Sequence, residues 1–362
     1  MVYFQVLSAL VVVYLSPLFS LFRTSHSPLS LSPPPPASPS LSPPLPLSPP
    51  PHPLFPQVPT EVKFDLIHAL AAAGLPSVEA TSFVSPKWVP QLADAADVVA
   101  RVAASASLRE IALRNGTRFP VLTPNMRGLE RALEAGATEV AVFAAATESF
   151  SRRNLNAPVE EALSRFADVA AAATAAGVPV RGYVSVAAGC PYEGRVDPRA
   201  AGAVARRLLE MGCYEVSLGD TVGVATPGEI SRLFRTVAEE FVPVSRLASH
   251  CHDTFGQGVA NVLAAMGEGV ATHDASVAGL GGCPFAPGAA GNVATEDVLY
   301  LLGGLGVEHG CDLEAVAAAG EAVCAALGRE TRSRAGRAVL AARERRREKG
   351  EEGAGGRTTT AA

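Results

Sequence analysis

Two histidines spaced two apart, His250 and His252, stand at the end of a short apolar run, Phe241 to Ser249, with Asp253 directly after them. The run reads as a buried strand. If the strand continues through the pair, both imidazoles share a face, because side chains alternate along a strand. Imidazoles so placed are half of a divalent-metal site. A pair of hydrogen-bonded structural histidines is the competing reading, and spacing alone does not separate the two.

Other residues with chemical potential lie before and after this pair. Gly279-Leu280-Gly281-Gly282-Cys283-Pro284 carries a thiol in a run of glycines that lets backbone approach a ligand. Such a thiol can exchange a proton once its surroundings tune it; a tight turn with an incidental cysteine is the alternative. Asn292, in Gly288-Ala289-Ala290-Gly291-Asn292, offers an amide oxygen to a hard cation or serves as a turn residue. Asp220 reads as a proton relay, as a carboxylate orienting a ligand, or as a cap before Pro227. Glu79 points into a barrel mouth or a salt bridge, and Arg181 suits an anionic substrate group or a buried carboxylate. Ser82, Tyr183 and Ser217 lie on the same strands or at their ends. Trp88 reads as packing at a helix start.

The elements that must position these residues alternate throughout. Strands are expected at Val78 to Phe83, Phe119 to Leu122, Glu139 to Phe143, Val180 to Val186, Glu215 to Leu218, Leu247 to His250 and His273 to Val277. Helical periodicity marks Glu61 to Ala73, Val89 to Ser105, Met126 to Ala135, Val159 to Ala176 and Pro198 to Met211. It marks also Pro227 to Glu240, Gly256 to Gly267, Glu296 to Leu302 and Leu313 to Leu327. Strand-helix alternation means parallel strands joined by right-handed crossovers, and this many units predict a closed α/β (β/α)8 barrel. The carboxyl ends of the strands would then converge on one mouth. Seven strands are legible, so the first is missing or replaced.

The place of the missing strand is taken by different material. Val2 to Phe22 is apolar and uncharged, but no Lys or Arg precedes it and Pro17 interrupts it. Ser27 to Pro59 is almost wholly Ser, Pro and Leu, a composition expected to be extended and disordered. The expected organisation is therefore a leader over 1–57, a barrel over 58–332 and a charged, low-complexity tail over 333–362, frayed from Ala338. The net charge of −5 gives no basic footprint for nucleic acid. Six cysteines without CxxC spacing suggest free thiols in a reducing compartment.

Five stretches together resemble the hydroxymethylglutaryl-CoA lyase family of DRE-TIM metallolyases. They are Glu79 through Gln91, Gly189-Cys190-Pro191-Tyr192-Glu193-Gly194, Ser217-Leu218-Gly219-Asp220-Thr221, His250-Cys251-His252-Asp253-Thr254 and Gly279 through Pro284. The resemblance runs from about Val58 to Arg332. The wider group includes isopropylmalate synthases, but the Lys87-Trp88 and Cys283 segments favour the lyases. The resemblance implies retro-Claisen cleavage of 3-hydroxy-3-methylglutaryl-CoA to acetoacetate and acetyl-CoA, assisted by Mg2+ or Mn2+ on His250, His252 and Asn292. It implies His250 or Asp220 as base and Cys283 as the proton donor to the enolate. Glu79, Arg181, Tyr183, Ser217 and Ser82 would shape the acyl-CoA pocket. It further implies a homodimer and mitochondrial residence; the leader itself, interrupted by Pro17 and with no basic residue before it, is expected neither to anchor the chain in a membrane nor to act as a convincing transit peptide.

In that family the first strand ends in an Arg-Asp pair, the Asp a metal ligand and the Arg a stabiliser of the enolate oxygen. This chain has no aspartate before Asp65, and its only arginine there is Arg23. Losing one such positioned donor is worth roughly 10² to 10³ in rate. Phe4 to Tyr14 of the apolar leader is expected to fill the gap as a surrogate strand, which would repair packing and leave the chemistry unrepaired. Three readings follow: a lyase whose true first strand lies outside this sequence, a truncated non-catalytic subunit, or an active relative with another acyl-CoA or 2-oxo acid substrate.

Overall fold

The computed structural model describes residues 10–14, 58–87, 89–281 and 291–349. Its strands are β1 (Leu10–Tyr14), β2 (Ser77–Glu79), β3 (Thr81–Ser82), β4 (Val121–Leu122), β5 (Val140–Ala145) and β6 (Val180–Ser185). They continue as β7 (Gly189–Cys190), β8 (Gly194–Arg195), β9 (Val216–Asp220), β10 (Leu247–Cys251) and β11 (Thr272–Ser276). The helices are α1 (Thr60–Ala72), α2 (Ala95–Ala104), α3 (Ala106–Asn115), α4 (Met126–Glu134), α5 (Glu148–Leu155) and α6 (Val159–Ala175). After them come α7 (Pro198–Glu210), α8 (Pro227–Glu240), α9 (Gly258–Gly267), α10 (Thr295–Gly304), α11 (Leu313–Ala326) and α12 (Arg334–Glu348).

The main sheet runs β2-β1-β11-β10-β9-β6-β5-β4-β3. Only Ala80 separates β2 from β3, and Val78 and Ala80 donate to the Arg118 and Pro120 carbonyls, so the two ends of that order are one stretch of chain. The sheet therefore closes on itself. Seven strand positions are parallel, as the alternation predicts. The eighth holds β1, inside the expected Phe4 to Tyr14 stretch, antiparallel to both β11 and β2. An antiparallel strand at this seam needs no crossover helix of its own.

Local chemistry explains most boundaries. Thr226 and Glu229 form a reciprocal capping box ahead of α8, with Pro227 in the first turn. Asn125 and Asp312 cap α4 and α11. The single helix expected over Val89 to Ser105 is instead a 3-10 turn at Pro90–Leu92 followed by α2, and a helix that was not expected, α3, begins just beyond it. Ser105 makes the break: its backbone is extended and its hydroxyl accepts the Leu108 N–H, so a new helix starts there. The tail expected to fray from Ala338 is regular helix to Glu348, started by Ser333, whose hydroxyl accepts the Gly336 N–H and donates to Asp297 at 2.7 Å.

The apolar core fills the layer between sheet and helices, where Val140, Val142, Val184, Leu218, Phe166, Leu208 and Phe234 are buried together. Strand β5, Val-Ala-Val-Phe-Ala-Ala, is buried along its whole length, which is why it reads as a continuous apolar run. The barrel interior is different. It contains Glu79, Arg181, Tyr183, Ser217, His250 and Asp274, all buried.

Candidate active site

Parallel register sets the levels inside the barrel. His250 pairs with Asp274 on β11 and with Gly219 on β9, so these positions lie at one height near the carboxyl ends. His252 lies just past β10 and forms a bridge with Asn292, while the Asp253 and Val293 amides donate to the Gly291 and Cys251 carbonyls. The expectation that β10 continues as strand through both histidines is thus met in altered form: β10 ends at Cys251, and residues 291–293 pair with its continuation. This brings Asn292 beside His252 from 40 residues along the chain. Gly223 permits the packing from the other side, since a β-carbon there would lie 2.9 Å from the His252 β-carbon and its φ is +67°.

The two imidazoles face each other, with Nε2 atoms 3.3 Å apart. Burial, helped by the neighbouring His250, pushes His252 down to about 3, so its ring is neutral at physiological pH. His250 Nδ1 lies 3.4 Å from Asp274 Oδ2. Asp274 also accepts from Arg181 Nη2 at 2.9 Å and Ser217 Oγ at 2.7 Å. Burial raises this carboxyl and the Arg181 guanidinium and His250 outweigh that, holding it at about 2. Arg181 in turn donates to Glu215 at 2.9 Å and to the Tyr183 hydroxyl at 2.9 Å, and that hydroxyl donates to Glu79 at 3.1 Å. Tyr183 meets the His250 ring edge-on. One guanidinium thus serves a floor of buried carboxyl groups directly beneath the histidines.

The residues expected from sequence divide accordingly. Glu79, Arg181, Tyr183, Ser217 and His250 share one network, with His252 and Asn292 at its upper edge. Ser82 is buried with no hydrogen-bond partner for its hydroxyl among the described residues. Asp220 stands apart. Its two carboxylate oxygens accept the backbone N–H groups of Val224 and Ala225 at 3.2 and 3.0 Å, bracing the loop that leads to α8. Burial raises it to about 6, against the pull of those same N–H groups. Cys283, Trp88 and residues 282–290 lie outside the described residues. Asp274 and Glu215 were not singled out from sequence; the signal for Asp274 was parity, since in the β10–β11 register it shares a face with His250.

The loop after β11 is held from below. Ala278 has φ of +56°, and its N–H donates to both carboxylate oxygens of Glu296 at 3.0 Å. Burial pushes Glu296 up to about 8, opposed by hydrogen bonds from its own backbone and from Ala278. Val186, a β-branched residue at φ of +52°, is held at the end of β6 by its N–H bond to Thr221 Oγ1 at 2.8 Å. A cavity of about 350 Å³ lies elsewhere, between α2, α3 and the amino ends of β4 and β5, and contains none of these residues.

The donor set suits a divalent cation in part. Two nitrogens each about 2.1 Å from one ion, at 90° to 110°, stand roughly 3.0–3.4 Å apart, and the imidazole nitrogens meet that spacing. His252 Nδ1 is buried without a partner among the described residues. Asn292 Nδ2 donates to the Leu280 carbonyl at 2.8 Å, which leaves its oxygen as the ligand atom. Among the described residues, no cluster of three His, Cys, Asp or Glu groups surrounds such an ion. The three named donors, two imidazoles and one amide, are neutral.

Residues 54–323 match the family described as HMGL-like. The chain belongs to that family. It is 54% identical over 282 residues to mouse "Hydroxymethylglutaryl-CoA lyase, mitochondrial", spanning 78% of this chain and 84% of the relative. It is 55% identical to zebrafish "3-hydroxy-3-methylglutaryl-CoA lyase, cytoplasmic", spanning 78% and 81%. The crystal structure of hydroxymethylglutaryl-CoA lyase from Pseudomonas aeruginosa superposes with a TM-score of 0.74 at 52% identity, covering 79% of this chain and 92% of that one. The lyase resemblance and the TIM-barrel architecture hold, and by family the chain is a carbon-carbon lyase.

Proposed function

We propose that this chain cleaves 3-hydroxy-3-methylglutaryl-CoA to acetoacetate and acetyl-CoA. The observation that carries the reading is the facing of His250 and His252 over a buried Arg181 network at the carboxyl ends of the barrel strands. A Mg2+ or Mn2+ ion bound there would act as a Lewis acid on the substrate's hydroxyl and carboxyl oxygens. His252 and Asn292 would hold it. His250 Nε2 would be its third ligand or would take the C3 hydroxyl proton, one lone pair serving one role at a time. Asp220 is the weaker candidate base, because both its oxygens are committed to loop N–H groups. Cys283 delivers the proton to the acetyl-CoA enolate, and Glu79, Arg181, Tyr183, Ser217 and Ser82 shape and fix the pocket floor.

The proposed setting is leucine degradation and ketone-body formation in the mitochondrion, supported by the mouse relative, with the cytoplasmic zebrafish relative as the competing setting. A homodimer is proposed on the family resemblance. Among the described residues, no helix is long and apolar enough to cross a membrane.

One observation favours a second reading, a catalytically impaired homologue acting as a partner subunit. The strand at the seam, Leu-Val-Val-Val-Tyr, supplies neither a carboxylate nor a cation. Titration of the purified chain with Mn2+, with cleavage of hydroxymethylglutaryl-CoA followed in the same samples, separates the two. Metal-dependent turnover that vanishes in His252→Ala supports the lyase. Absence of turnover, restored when a first strand bearing Arg-Asp is placed ahead of Val58, supports the impaired homologue.

A further inference from the structure

Asp274 carries more contacts than neutralising Arg181 requires. Arg181 already has Glu215 on its Nε, and Tyr183 takes a bond from Nη1. Asp274 Oδ1 receives Arg181 Nη2, while Oδ2 receives Ser217 Oγ and Arg181 Nη1, and the same oxygen faces His250 Nδ1. The carboxylate is thus fixed from β6 and β9 and turned toward β10. Its strand neighbour His273 occupies the opposite face, bonded to Ser249 Oγ at 2.6 Å, so of these two neighbours it is Asp274 that faces His250.

We propose that Asp274 is a positioning residue that fixes His250 in the tautomer with its proton on Nδ1. A carboxylate can only accept, so the nitrogen that faces it must donate. Nε2 is then left as a lone pair facing His252, the form that can bind a cation or take a proton. The opposite tautomer would aim an N–H at that same space. Ser217 and Arg181 act one step further back, by preventing the carboxylate from rotating away.

The test uses the full chain labelled with 15N at histidine. Long-range proton–nitrogen correlations of His250 in the wild-type protein are expected to place the proton on Nδ1; a proton on Nε2 would overturn the proposal. In Asp274→Asn, one amide oxygen must serve Arg181 and Ser217, so the NH2 turns to His250 and the tautomer is expected to switch. Mn2+ affinity should fall about 10- to 100-fold, with kcat falling and KM for the acyl-CoA little changed. A folded Asp274→Asn protein with unaltered tautomer and Mn2+ affinity would refute the idea. If that variant does not fold, Ser217→Ala removes one restraint and keeps the carboxylate; it is expected to mix the tautomers and lower Mn2+ affinity several-fold, and an unmixed tautomer would count against Asp274. The metal arm rests on the proposed lyase reading and the tautomer arm does not. A wild-type chain that binds no Mn2+ defeats that reading while the tautomer still decides the role of Asp274.

Discussion

The barrel wall around β6, β9, β10 and β11 and the seam at β1 solve the same closure problem differently. In the wall, each strand is followed by a helix, the ladders are parallel, and inward positions carry groups that hydrogen-bond across strands, as Arg181, Ser217, His250 and Asp274 do. At the seam, a five-residue strand runs the other way and meets β11 and β2 through backbone pairing, with an uncharged sequence. Backbone hydrogen bonding is indifferent to side-chain identity, so a barrel can be closed by a strand that brings no chemistry. Closure and catalysis are separable properties of this fold.

The contrast breaks most severely on the wall side. Arg181→Met leaves Glu215 and Asp274 buried without their cation, and a loss of about 3–5 kcal/mol is expected in urea denaturation, with unfolding of the variant at neutral pH a consistent extreme. A loss under 1 kcal/mol would show that the floor is not a charge network at all.

On the seam side, Val12→Pro removes a ladder donor from the strand paired with Asp274 and Ser77. A cost of roughly 2–3 kcal/mol is expected, with faster amide exchange in β2 and β11. Unchanged exchange in those strands would mean that β1 contributes nothing to closure.

Glu296 sharpens the comparison through pH. Its carboxyl, raised from an ordinary value near 4.5 to about 8, favours the folded state when protonated. That contribution is fully present below about pH 4.5 and is lost as pH rises through about 8, at no more than about 1.4 kcal/mol per pH unit. Melting temperatures of the wild type should therefore fall relative to Glu296→Gln across this window. Parallel curves would refute the assignment.

Much of this arrangement was legible in the residues. Strand-helix alternation located seven wall positions, and the His-x-His spacing located the centre of the site. What escaped depended on geometry that sequence encodes weakly. Helices α3 and α5 were not expected: Ser105 starts a new helix just where the periodic stretch from Val89 ends, and Glu148–Leu155 is short and charged. Asp274 was hidden beside His273, since both are polar and only the β10–β11 register decides which faces inward. For Asp220, the loop at Val224 and Ala225 claims both oxygens, a local hydrogen-bonding pattern that competes with any role at the mouth.

The seam also has a consequence in time. Leu10 pairs with Glu79 and with Ser276, so β1, the first of the described strands, can meet β2 early but cannot find its other neighbour, β11, until nearly the whole wall has been translated. Pairings so distant along the chain form slowly, because loop closure precedes any reward from contact. Until then the β11 edge is open to other chains, and the yield of correctly folded protein should depend on how well nascent chains are kept apart.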